Sequence, residues 1–214
     1  MEGKIVKVSG PLIVASGMGQ CEMYDVVQVS EHKLIGEIIE LRGDLASIQV
    51  YEETSGLGPG EPVYSTGSPL SVDLAPGLIE SIFDGIQRPL DKIRDMVGDR
   101  ISRGVQISAL DTNKKWRFQP LAKAGDSVQP GDFLGCVQET SLVKHYIMVP
   151  HGISGVVEWL ADGEATIVEP IARIKTESGS IQDVTMLQRW PVRRGRPFAE
   201  KLPPSEPMVT GQRI

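Results

Sequence analysis

Short β-branched runs separated by turns fill the first third of the chain. Apolar residues cluster at 5–8, 12–15, 23–29, 34–41 and 45–51, with a further short run at 62–64. Between them stand Ser9-Gly10-Pro11, Ser16-Gly17-Met18-Gly19, Arg42-Gly43-Asp44 and Gly56-Leu57-Gly58-Pro59-Gly60, in which glycine and proline supply tight-turn geometry. Five or six strands at roughly ten-residue spacing predict a small closed β-barrel over residues 1–68.

The period then changes. Leu78, Ile79, Ile82, Phe83 and Ile86 fall at i, i+1, i+4, i+5 and i+8, which predicts a helix over 73–86 with Pro76 near its start. A second helical piece is expected after Pro89, where Leu90, Ile93 and Val97 recur at three- and four-residue steps and Gly98 ends the run. Residues 69–103 are therefore expected to be a helical linker. Strands return over 104–186, at 105–107, 116–121, 133–138, 142–149, 155–160, 165–168 and 171–175. Inside lies a repeat of turn and strand, Gly125-Asp126-Ser127-Val128-Gln129-Pro130 and Gly131-Asp132-Phe133-Leu134. This repeat resembles the half-motif of biotinyl and lipoyl carrier domains, which are sandwiched barrels. The likeness continues through Glu139-Thr140-Ser141, Ile147-Met148-Val149-Pro150 and Gly155-Val156-Val157. Residues 187–214 are rich in proline and arginine and are expected to be an extended connector without a core of their own. The fold class expected is mainly β: a small N-terminal β-barrel plus a barrel-sandwich domain, with a short helical linker between them.

Composition narrows this picture. The 214 residues leave room for two small domains, and 40% hydrophobic with 23% charged residues is ordinary for a soluble globular chain. The 23 glycines and 15 prolines beside 5% aromatics favour many short strands. A net charge of −6 argues against a general nucleic-acid binder, which needs a surplus of Lys and Arg. The start lacks the apolar core of a signal peptide, and no apolar run approaches the ~18 residues of a spanning helix, so a cytoplasmic chain is expected. Cys21 and Cys136 stand far apart without CxxC pairing and are expected to be buried thiols.

Candidate chemistry is sparse. In a carrier domain the acylated Lys sits on a hairpin tip; counted from Glu139 to Pro150, that slot holds Leu142, while Lys144 lies two residues beyond it. No GxxxxGK[ST] loop is present, and Pro59 removes an amide from the one glycine-rich stretch. His32, His145 and His151 form no metal-binding spacing, and no GxSxG occurs. Glu52-Glu53 is expected to be solvated loop charge. No catalytic, cofactor-binding or metal-ligating residue is therefore assigned. Arg189, Trp190, Arg193 and Arg194, with Arg196, could stack bases, but the prolines and the acidic total favour an interdomain or intersubunit contact in which Arg pairs with a carboxylate.

The run from Pro69-Leu70-Ser71-Val72-Asp73-Leu74-Ala75-Pro76-Gly77-Leu78 to Phe83-Asp84-Gly85-Ile86-Gln87-Arg88-Pro89-Leu90 resembles the linker of the catalytic A subunits of vacuolar and archaeal-type rotary ATPases. Gly3-Lys4-Ile5-Val6-Lys7-Val8-Ser9-Gly10-Pro11, Leu34-Ile35-Gly36-Glu37-Ile38-Ile39 and Gln188-Arg189-Trp190-Pro191-Val192-Arg193 agree with the same family in order, so the likeness covers essentially the whole chain. The resemblance implies a barrel in the crown ring of an alternating A/B hexamer and an inserted bulge domain facing the peripheral stalk. The implied partners are the B subunit of the hexamer and peripheral-stalk subunits, with no nucleic acid and no insertion into the membrane. MgATP is the ligand of the full subunit; for this chain no cofactor is expected, because the phosphate loop and catalytic groups come after the position where it stops. An inactive, assembly-competent piece is the expectation, with a free-standing adaptor module or an acyl-carrier-like protein using Lys144 as the alternatives.

Overall fold

A computed structural model describes residues 2–98, 103–198 and 200–205. Alternating inward and outward residues close the first sheet on itself. Strands β1 (Glu2–Ser9), β2 (Leu12–Ser16), β3 (Asp25–Val29), β4 (Leu34–Arg42), β5 (Leu45–Val50) and β6 (Pro62–Pro69) form a closed barrel in the order β1-β2-β5-β4-β3-β6. Ile13, Val27, Val29, Leu34, Ile38 and Ile48 fill its interior, all fully buried, each worth roughly 1.5–3 kcal/mol of transfer free energy. Closure leaves no unpaired strand edge. Gly36 is needed on β4 because a β-carbon there would stand 2.8 Å from Ile48 Cγ2.

The segment after the barrel corrects the expected helix over 73–86. Residues Ser71–Leu74 form strand β7, and turns without helix follow as far as Pro89. Positive φ at Gly77 (108°), Glu80 (67°) and Gln87 (63°) interrupts any right-handed run. The amides a helix would use go elsewhere: Gly77 and Ile79 donate to Glu139, and Ile86 and Arg88 donate to Asp84. The apolar residues are only partly absorbed, since Leu78 and Phe83 pack on the second core while Ile79 and Ile82 stay exposed. Helix α1 (Leu90–Val97) forms where its spacing predicts, with Pro89 at the N-cap and Gly98 closing it by donating its backbone N–H to Arg94 O at 2.8 Å. Residues 105–107 do not form the expected strand. The barrel strands β3 and β6 they run beside already pair on both edges, so no ladder is open to them.

The second β region is a pair of four-stranded sheets. One has the order β11 (Lys144–Met148), β10 (Phe133–Gln138), β8 (Lys115–Pro120), β13 (Gly163–Thr166). The other has the order β15 (Ile181–Thr185), β14 (Pro170–Thr176), β12 (Gly155–Leu160), β9 (Ser127–Val128). Phe118, Leu134, Val137 and Ile147 from the first meet Val157, Ile171, Ile174 and Val184 from the second in one core. The Gly-Asp repeat folds as two copies of one device. Asp126 Oδ2 accepts the Lys123 amide at 2.8 Å, and Asp132 Oδ2 accepts the Gln129 amide at 2.7 Å. Gly125 and Gly131 share a φ of 96°, a left-handed value open to glycine. Each turn then clips to a strand or its end: Gly125 N to Val157 O and Val157 N to Asp126 O, Gly131 N to Val149 O and Val149 N to Asp132 O.

The expected connector contributes a strand. In β16 (Gln188–Pro191), Arg189 lies opposite Asp73 and Trp190 opposite Val72 of β7, closing a two-stranded antiparallel ribbon. The part of the connector from 206 to 214 lies outside the described residues.

Candidate functional site

The ribbon of β7 and β16 brings the arginine segment back onto the barrel. Arg189 Nε meets its cross-strand partner Asp73 Oδ1 at 3.0 Å. Just past the strand, Arg193 grips Glu37 of β4 with two prongs, Nε to Oε1 at 2.9 Å and Nη2 to Oε2 at 2.5 Å. Glu37 is 1% exposed, so the carboxylate is withdrawn from water and held by a planar fork that matches it. Tyr51 donates its hydroxyl to Oε2 at 3.0 Å, and the Arg193 guanidinium lies 4.4 Å over the Tyr24 ring. The Arg193 hydrogen bonds hold the Glu37 carboxyl below the usual range against the pull of burial. In return, Glu37 raises the Arg193 pKa. Burial and the neighbouring carboxylate push the Tyr51 phenol up.

Trp190 and Arg194 point another way. The indole Nε1 donates to Arg194 O at 2.6 Å, and the Arg194 and Arg196 guanidinium groups sit 5.8 and 5.2 Å from the ring, with His151 edge-on to it. The four residues singled out in sequence thus divide: Arg193 goes to the barrel, Arg189 to the linker strand, and Trp190 with Arg194 to a separate cluster beside the sandwich.

Three further carboxylates complete the joint, and sequence reasoning missed them. Glu52, expected to be solvated, has a side chain only 7% exposed. Its Oε1 accepts the Ile35 amide and its Oε2 accepts both the Gly104 amide and Arg88 Nη1. Arg88 also binds Asp84 through Nε at 2.7 Å. Burial works against the Asp84 charge, but the amides of Arg88 and Ile86 and the guanidinium hold its carboxyl low. Glu53 remains exposed and takes the Ser55 hydroxyl at 2.6 Å. The third, Glu139, sits at the end of β10 with a side chain 2% exposed. It accepts the Gly77 and Ile79 amides on Oε1 and faces His145 Nδ1 at 2.8 Å. Burial raises its pKa, yet His145 and the two amides outweigh that and leave it lowered.

The arrangement is one of clamps. These carboxylates end on arginine, histidine or backbone amides; Glu37, Glu52 and Glu139 join segments distant in sequence, while Asp84 ties a local turn to Arg88. Among the described residues no group of three or more His, Cys, Asp or Glu side chains is placed to hold a metal ion. The glycine-rich loop at 56–60 turns two amides inward, Gly58 to Glu61 and Gly60 to Ile5 O. Leu142, in the slot of a carrier lysine, is 92% exposed on the loop between β10 and β11, while Lys144 lies within β11 beside Tyr146. No helix among the described residues is long and apolar enough to cross a membrane.

Comparison with known proteins supplies the family. Residues 5–67 match the β-barrel domain of the ATP synthase alpha/beta family, and residues 107–193 match the ATP synthase alpha/beta subunit barrel-sandwich domain. The V-type ATP synthase alpha chain of Acetivibrio thermocellus is 62% identical over 213 residues, 100% of this chain and 36% of that protein. Its counterpart in Thermoanaerobacter pseudethanolicus is 61% identical with the same coverage. A Clostridium botulinum V-type ATP synthase alpha chain is 58% identical over 212 residues, 99% of this chain and 36% of its own length. The chain thus spans about a third of the length of these curated relatives. With both β domains matched in order and identity sustained along its whole length, the chain belongs to the ATP synthase alpha/beta family and corresponds to the N-terminal region of V-type alpha chains.

Proposed function

We propose that this chain is the non-catalytic front part of a V-type ATP synthase alpha chain, which positions its barrel and its bulge for assembly. The observation that carries the reading is 62% identity across the whole chain to a V-type ATP synthase alpha chain, with both matched family models being β domains. On this reading residues 1–68 are the barrel and 104–186 the bulge. Residues 69–103 and the segment from 187 onward join them. The barrel packs with B subunits in an alternating hexamer, and the bulge meets peripheral-stalk subunits. MgATP binding and ion-coupled ATP synthesis or hydrolysis belong to the complete subunit, in the cytoplasmic sector of the complex. Arg193, Arg189 and Arg88 serve this role from within, because their carboxylate clamps fix the geometry that neighbours meet. Size-exclusion chromatography with light scattering tests it: mixed with the B subunit, the chain should shift to a heteromeric mass. Two components that keep their separate masses at all concentrations would overturn the assembly role.

A second reading, an acyl carrier, finds less support, since the exposed tip residue is Leu142 and leucine offers no amine. An unchanged intact mass after incubation with a biotin or lipoate ligase is the expected outcome.

A further inference from the structure

Arginines stacked on aromatic rings in this chain follow a pattern. Arg193 lies over Tyr24 and is bound to Glu37, and Arg173 lies over Trp159 and is bound to Asp183. Arg194 and Arg196 both stack on Trp190, yet among the described residues no carboxylate stands within 4 Å of either guanidinium. In a chain of net charge −6, two positive charges gathered on one indole without a counter-charge are a specific local excess.

The indole is one wall of a groove of about 680 Å³ between the second β region and the segment after β16. Pro130, Met148, Val149, Pro197 and Phe198 give it an apolar lining. Hydrogen bonds fix its shape on both sides. Gln188 Nε2 donates to Met148 O at 2.7 Å, and Val149 exchanges amide bonds with the Gly131-Asp132 turn. Opposite, Trp190 Nε1 donates to Arg194 O at 2.6 Å and the Arg194 amide donates to Pro191 O at 3.1 Å, folding the loop against its own indole. A groove shaped in advance lowers the ordering cost of binding. Asp132, the one carboxylate among the lining residues, is already engaged, since its Oδ2 accepts the Gln129 amide.

We propose that this groove docks an extended acidic segment of a protein partner. Carboxylates of that segment pair with Arg194 and Arg196, and an apolar side chain lies against Trp190 and Phe198. Charge complementarity decides the occupant: the partner supplies to Trp190 the carboxylate that Glu37 and Asp183 supply to the other two stacks. The apolar lining suits peptide side chains, while Asp132 on the wall and the negative total disfavour a phosphate backbone.

Two-dimensional ¹H–¹⁵N NMR of the full chain tests the groove. The probes are a synthetic hexapeptide of glutamates with one leucine and one phenylalanine, and its counterpart with glutamine in place of glutamate. The Trp190 indole signal, assigned with Trp190→Phe, should move along a saturable curve with the acidic peptide and stay still with the glutamine one. Arg194→Ala and Arg196→Ala change exposed side chains and should each weaken binding about tenfold, whereas Arg42→Ala on the barrel should not. The double variant Arg194→Glu, Arg196→Glu should lose the acidic peptide and bind a lysine counterpart, an exchange that a merely structural role for the arginines would not produce. An indole signal that does not move, that moves equally with both peptides, or that titrates unchanged in both alanine variants would overturn the proposal. So would tighter binding of an oligothymidylate at the same ionic strength, or self-association in sedimentation that the double variant abolishes, which would make the occupant a second copy.

Discussion

Arg193 meets Glu37 across 156 residues of sequence, with Nε 2.9 Å from Oε1 and Nη2 2.5 Å from Oε2. The contact ties the segment after β16 to the wall of the barrel, and its partners are unequal: the Glu37 side chain is 2% exposed and the Arg193 side chain 53%. Removing the arginine strands a buried carboxylate, whereas removing both leaves no uncompensated charge.

Arg193→Ala is expected to lower stability more than Arg42→Ala, whose partner Glu40 is exposed. Adding Glu37→Gln to Arg193→Ala should recover part of the loss, and urea midpoints for the two single variants and the double variant measure the coupling. Equal midpoints for Arg193→Ala and Arg42→Ala would contradict the assignment.

Arg88→Ala should cost about 3 kcal/mol, because Asp84 and Glu52 are left facing each other with little solvent. Arg88→Lys should restore only part of this, since one ammonium cannot reproduce the guanidinium fork that spans both carboxylates. Denaturant unfolding of the three proteins checks the order.

Acid should weaken the fold through the same groups. Glu37, Asp84 and Glu139 all have folded pKa values below their ordinary ones. An unfolded carboxyl titrates near pH ~4, so the unfolded chain takes up protons first as pH falls. The stability these groups contribute is therefore complete above about pH 5 and is lost as pH drops through the depressed values. Thermal midpoints between pH 7 and pH 3 should fall, and Glu139→Gln should flatten that fall while lowering the neutral-pH midpoint.

Gly135 faces the Phe118 ring so closely that a β-carbon would overlap it. Gly135→Ala should cost about 1–3 kcal/mol by overpacking, and Phe118→Leu in the same chain should relieve some of it. Two-variant denaturation curves would show non-additivity if the steric account holds.

Much of this architecture is legible in the sequence because it is local. The barrel strands obey alternation and lie between turns that glycine and proline dictate, and the Gly125-Asp126 and Gly131-Asp132 copies announce matching turns. α1 is readable from Pro89 to Gly98. What escaped depends on partners far along the chain. The 3.6-residue spacing of Leu78, Ile82 and Phe83 could not reveal that Glu139 and Asp84 would take the amides a helix needs. β7 and β16 are short and mutually dependent, with paired residues such as Arg189 and Asp73 116 positions apart. Glu52 beside Glu53 looked like surface charge, and only the approach of Arg88 and Gly104 makes it a buried anchor. The arginine segment was visible as a contact-forming motif, but its division between Glu37, Asp73 and Trp190 was not.

The central claim is that these two β regions form a scaffold without nucleotide chemistry of their own. Isothermal titration calorimetry of the chain with MgATP tests it most directly. A trace indistinguishable from buffer dilution is predicted, and saturable micromolar binding would contradict it.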